Sequence, residues 1–151
     1  MKVKILFFFL VSLLIIVGPL ACDDHESVAT LEGIWHGSMA QGDVLLFGVP
    51  TGFEEEDKNF HPTLEFREKG VVILTQGGIK RHGNWAQNGE ILVTSLNFET
   101  DFVDLSGTYT IQTLTVSQLV LYYEKEGTFE DPDTGIEITG TLKATLSFNR
   151  P

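Results

Sequence analysis

The chain has 151 residues, enough for one domain with a core of its own and too few for two. Its 21 acidic against 10 basic residues give a formal charge of −11, which argues against nucleic acid and anionic lipid headgroups as partners, because both need a positive face. The single cysteine excludes an internal disulfide.

At the N-terminus, Lys2 and Lys4 precede the apolar run from Ile5 to Val17, Gly18-Pro19 interrupts it, and Leu20-Ala21-Cys22 follows. The run is shorter than the roughly 20 apolar residues that span a bilayer, and its charged start, apolar middle and small-residue end are those of a cleaved secretion signal. With alanine directly before cysteine, the segment resembles a bacterial lipoprotein signal, although Pro19 stands where such signals usually carry Leu, Val or Ile. The resemblance implies that residues 1–21 are removed and that Cys22 is acylated as the mature N-terminal residue. Acylation also accounts for a lone thiol in an oxidising compartment. The implied partner is a membrane, reached through the N-terminal lipid, and the implied place is the cell envelope of a Gram-negative bacterium, as an outer-membrane lipoprotein. Asp23-Asp24-His25-Glu26 resembles an acidic tag for export to the cell surface, whereas in other bacteria an Asp directly after the cysteine retains the lipoprotein in the inner membrane. The leaflet stays open. Removal of 21 residues from 151 leaves 130, with 8 basic against 21 acidic residues, or about −13.

Residues 22–30 read as an acidic tether and 31–151 as the folded domain, with Ser27 to Glu32 expected as a short turn over its end. From there the pattern is apolar alternation at period two with Gly, Asn or Asp between segments, and no sustained 3.6-residue period. Strands are predicted at Gly33–Met39, Asp43–Val49, Val71–Gln76, Lys80–Ala86, Glu90–Ser95 and Gln118–Glu124, with further alternation around Leu64 and Phe66 and around Tyr109 and Ile111. Glu68-Lys69-Gly70, Gln76-Gly77-Gly78 and Gln87-Asn88-Gly89 read as turns, Asn88-Gly89 being the strongest hairpin signal. The stretch from Pro50 to Pro62 reads as one long irregular connection with Phe53 and Phe60 inside it. The acidic groups Glu54-Glu55-Glu56-Asp57 and Glu130-Asp131-Pro132-Asp133 both look turn-like. In the last strand, Ile136, Ile138, Gly140, Leu142, Ala144, Leu146 and Phe148 share the core face, against Glu137, Thr139, Thr141, Lys143, Thr145, Ser147 and Asn149. The chain is therefore expected to be all-β, an antiparallel up-and-down barrel of about eight to nine strands, because closure removes exposed edges.

Gly33-Ile34-Trp35, opening the first strand after an acidic tether, is similar to the Gly-x-Trp signature of the lipocalin superfamily. The segment from Tyr109 to Leu121 resembles the penultimate hairpin of small bacterial lipocalin-like lipoproteins, and Arg150, at the parity of Phe148, matches the family's closing arginine. The resemblance covers about Leu31 to Arg150 and implies a barrel-closing group of Gly33, Trp35 and Arg150, with the guanidinium over the indole. The Thr-Asp-Tyr loop of the larger lipocalins is missing, so the chain is similar to divergent members.

No catalytic constellation is readable, since a nucleophile needs a base and an orienter within reach. His25, His36, His61 and His82 lack the spacing that aims two imidazoles at one metal, although neighbouring strands could unite His36 and His82. Asp131 to Glu137 has the alternating oxygens of a calcium loop but lacks its distant bidentate glutamate, and an acidic turn explains it more simply. No enzyme activity, cofactor or metal is expected. Two function classes stay open: a barrel holding a small apolar or amphipathic ligand lined by Phe66, Trp85, Tyr109 and Tyr123, or a structural or protein-interaction surface lipoprotein whose barrel is packed and ligand-free.

Overall fold

The computed structural model describes residues 29–46, 48–100, 104–130 and 135–151, without the side chains of residues 50–55, 129, 130 and 138. Cys22, the rest of the signal and acidic tag including His25, and Asp131 and Asp133 of the calcium-like loop lie outside the described residues, as do the Phe53 and Ile138 side chains.

Nine strands form: β1 (Gly33–Leu46), β2 (Val49–Asp57), β3 (Thr63–Arg67), β4 (Val71–Gln76), β5 (Ile79–Asn88), β6 (Ile91–Glu99), β7 (Asp104–Leu114), β8 (Gln118–Glu130) and β9 (Glu137–Asn149). One 3-10 turn, Glu68–Gly70, joins β3 to β4. Every pairing is antiparallel, and from β3 to β9 each strand pairs with the next. β1 pairs with β9 on one edge and β3 on the other, which closes an eight-stranded up-and-down barrel. The ninth strand, β2, is extra: it runs along β1 from Ala40 to Leu46, beyond the stretch that β3 occupies. Closure pairs every barrel strand with a neighbour on both sides over at least part of its length, which is the physical advantage of the architecture.

The alternation that predicts strands also places the core. Leu142, Ala144, Leu146 and Phe148 are buried on β9, as are Leu92, Leu96 and Phe98 on β6. Leu146→Ala is expected to cost about 2–5 kcal/mol as a buried large-to-small change, and Lys143→Ala, on the outer face, very little. Urea denaturation of both variants checks the register; equal losses would overturn it.

The structure departs from the sequence expectation at several points, each with a local cause. Gly33–Met39 and the first four residues of the second segment, Asp43 to Leu46, are one strand, kept in register by a bulge between Gly37 and Met39 that spends Ser38 as the extra residue, while Val49 opens β2. Most of the Pro50–Pro62 connection is β2, because the free edge of β1 supplies a ladder that outweighs the low strand propensity of its acids. Ile136 precedes β9 and is 62% exposed rather than inward. At the β5–β6 hairpin Asn88 still pairs with Ile91, so the turn residues are Gly89-Glu90, with positive φ at Gly89 only; this is the pattern of a II′ turn, with glycine first. Gly77-Gly78, both at positive φ, makes the I′ turn between Gln76 and Ile79.

The two ends of the barrel differ. At one end lie the β3–β4, β5–β6 and β7–β8 turns and the buried Leu31, and at the other β7 and β8 separate. β7 and β8 pair only from Thr110–Tyr122 to Leu114–Leu119. Beyond that, among the described residues, β7 bonds to β6 alone and β8 to β9 alone. A bulge between Ile111 and Thr113 sits just before the parting and bends β7 away.

Candidate functional site

The closed end is built by three residues from the two ends of the domain. Trp35 is fully buried, and its indole Nε1 donates to Leu31 O at 2.8 Å, which folds the incoming chain over the barrel as a cap. The Arg150 guanidinium carbon lies 4.2 Å from the centre of the Trp35 ring, within cation–π range. Arg150 Nη2 donates to Thr30 O at 2.9 Å and Glu32 O at 2.8 Å, so the same guanidinium also holds the cap. The backbone N–H of Arg150 donates to Ser117 O at 2.9 Å and anchors it to the β7–β8 turn. Gly33 completes the group for a steric reason: its φ is +124°, and a Cβ there would stand 3.3 Å from Arg150 Nη2. Glycine, tryptophan and arginine thus form one contact set.

The four aromatic residues expected to line a calyx fall into two pairs. Phe66 and the half-buried Trp85 meet edge to face at 5.3 Å, with Trp85 Nε1 donating to Arg67 O at 3.1 Å near the closed end. Tyr109 and Tyr123 pack at 5.5 Å where β7 and β8 part. Between them lies a group that the sequence did not single out. Phe60, from the β2–β3 connection, is fully buried, 5.6 Å from Phe148 and 6.4 Å from Phe98, while Phe98 and Phe148 are 5.8 Å apart. Phe98 then meets Tyr109 edge to face at 5.5 Å. A row of rings therefore runs through the interior, and the connection from β2 to β3 acts as a plug.

The plug is held by local chemistry. Asp57 Oδ1 accepts from the Asn59 N–H at 2.8 Å, turning the chain inward after β2. Gly37 N–H donates to Pro62 O at 2.7 Å, and a Cβ on Gly37 would come within 2.4 Å of Pro62 Cδ, so only glycine lets the proline approach. The signal in the sequence was one large ring, Phe60, isolated in a polar stretch two residues before a proline.

The Tyr109 hydroxyl is buried with no hydrogen-bond partner. Burial, and next the neighbouring Tyr123, push its pKa far above the ordinary tyrosine value; burial and a 2.5 Å hydrogen bond to Glu124 raise Tyr122 to about 12. A folded-state pKa raised above the unfolded one gives stability that is complete below about pH 10 and lost as pH rises further. Tyr109→Phe should therefore stabilise the domain by about 1 kcal/mol at neutral pH, by removing an unpaired buried hydroxyl, and should lessen the alkaline loss. Urea melts at pH 7 and pH 11 measure both. A destabilised variant at pH 7 would mean that the hydroxyl has a partner.

Among the described residues the histidines do not converge. His36, on β1, lies 3.2 Å from Thr63 Oγ1, and His82, on β5, pairs with Ile73; β3 and β4 stand between their strands. His61 Nδ1 lies 3.4 Å from Gly37 O beside the plug. Among the described residues no three His, Cys, Asp or Glu side chains form a metal-ligating group. No family model, curated protein or solved structure matches the chain.

Proposed function

We propose that the protein is an acylated lipoprotein of the cell envelope, held to the outer membrane through Cys22, whose packed barrel works as a protein-interaction module. The reading rests on the Phe60 plug: where a calyx would need space, Phe60, Phe98, Tyr109 and Phe148 are each at most 1% exposed, as side chains of a filled protein core are. The exposed aliphatic side chains Val49, Ile79 and Ile136, one at each of three hairpins at the end where strands separate, agree with contact at that end. The second reading, a small amphipathic ligand in the barrel, draws on the unpartnered Tyr109 hydroxyl, which offers a polar handle within an apolar interior.

Native mass spectrometry of the protein purified from its own membrane tests both. The expected species is residues 22–151 with acyl chains and nothing else bound. A stoichiometric apolar molecule would overturn the packed-barrel reading in favour of the ligand. For the anchor, Cys22→Ala should give a soluble or unprocessed product; a variant of mature length that still fractionates with membranes removes acylation from the proposal.

A further inference from the structure

Above the parting of β7 and β8, the residues Tyr123 to Thr128 of β8 carry a free strand edge. On its other side β8 is fully laddered to β9, from Gln118–Asn149 to Glu130–Glu137, and β9 is laddered to β1. The edge is therefore held straight by two strands behind it. β7 is bent off by its bulge and by Gly107, at φ +107°, where the β6–β7 register shifts. Free backbone N–H and C=O groups at a rigid edge are a template for one more strand.

We infer that this edge of β8 is a docking site for an extended cationic segment of a partner protein, which adds to the β2-β1-β9-β8 sheet as a further strand. The inference rests on the interaction reading above and names the site and the partner class. Chemistry selects the partner. Glu124 and Glu126 are both exposed and, two residues apart, share the outer face of the strand. The Tyr122 hydroxyl donates to Glu124 Oε2 at 2.5 Å and holds that carboxylate in place. Across the parting, Asp104 begins β7 and is exposed as well. Lysine or arginine at alternate positions of an incoming strand would face Glu124 and Glu126, since directly opposed charges on one face form the favourable cross-strand pairs. Its intervening positions would fall on the other face with Tyr123, Lys125 and Gly127, where uncharged side chains avoid a like charge at the exposed Lys125. A second copy of this chain is a poor occupant at this edge, because β8 laid against β8 would set Glu124 and Glu126 against their own copies. Six residues at about 3.4 Å each make a site of roughly 20 Å.

Hydrogen exchange on the full acylated chain in detergent, with a capped ten-residue peptide of alternating Lys and Val, tests the inference. Exchange at Tyr123–Thr128 should slow at least about tenfold, and the same peptide with Glu in place of Lys should have no effect. Glu124→Lys combined with Glu126→Lys should reverse that preference; Glu124→Gln with Glu126→Gln, which leaves the edge neutral, should abolish it. Slowing confined to β2 or elsewhere, a preference that survives charge reversal, or no slowing at all would overturn the site. With any of these, an empty barrel in the native mass spectrum leaves the interaction reading standing without this edge. A bound small molecule in that spectrum removes the interaction reading whatever the peptide does.

Discussion

Phe60→Ala is expected to lower stability by about 3–5 kcal/mol, the usual cost of deleting a buried phenyl ring. That is a large share of the roughly 5–15 kcal/mol that holds a domain folded. The ring contributes burial and edge-to-face contact with Phe148, and such aromatic pairs add about 0.5–1.5 kcal/mol beyond area. The variant should also acquire a small apolar void, because Phe98, Phe148 and Tyr109 are fixed by their strands and cannot collapse onto the site. Dry apolar voids take up small aromatic molecules. Benzene should therefore raise the melting temperature of Phe60→Ala and leave the parent unchanged. A variant that melts like the parent would show that the ring is not part of the core.

Trp35→Ala should cost about 3–5 kcal/mol as well, since it removes a fully buried indole together with its hydrogen bond to Leu31. Arg150→Ala should cost less, and a double-mutant cycle isolates what the two share: about 0.5–2 kcal/mol, according to how dry the contact is. Arg150 will keep part of its value after Trp35 is lost, because Nη2 still binds the carbonyls of Thr30 and Glu32. Arg150→Lys should recover little, since one ammonium cannot lie flat on the ring and reach both carbonyls. Urea melts of the four proteins in the cycle supply the coupling, and a value within error of zero would mean that the stacked geometry has no energetic weight.

The barrel was readable because its information is local. In β9 the parity of Leu142, Ala144, Leu146 and Phe148 needs no knowledge of the rest of the chain, and the Gly77-Gly78 turn follows from backbone freedom alone. Trp35 and Arg150 were readable for a different reason, a likeness to lipocalin signatures, and Gly33 gains its physical account only once the guanidinium is seen beside it. What the sequence hid depends on distant partners. Glu54 to Asp57 look like loop residues, and they form a strand because β1 extends past β3 and offers an edge. Phe60 looks like a stray ring in a polar connection, and its place in the core depends on Gly37, more than twenty residues earlier, being too small to obstruct Pro62. The parting of β7 and β8 was equally hidden, since it follows from a one-residue bulge after Ile111 and a register shift at Gly107.

The seam between β1 and β9 also governs how the domain comes into being. His36 pairs with Asn149 and Leu45 with Thr141, so closure joins segments about 100 residues apart in the chain. Hairpins from β3 to β9 can form one after another as a chain emerges N-terminus first, but the circle waits for β9 to arrive. Contacts of such long sequence separation place folding in the slow range, about milliseconds to seconds. During that interval β1 offers a bare ladder to any neighbouring chain. A truncation before Glu137 should accordingly yield no smaller barrel: it would leave the β9-facing edges of β1 and β8 permanently unpaired, and the expected fate of that chain is aggregation or proteolysis.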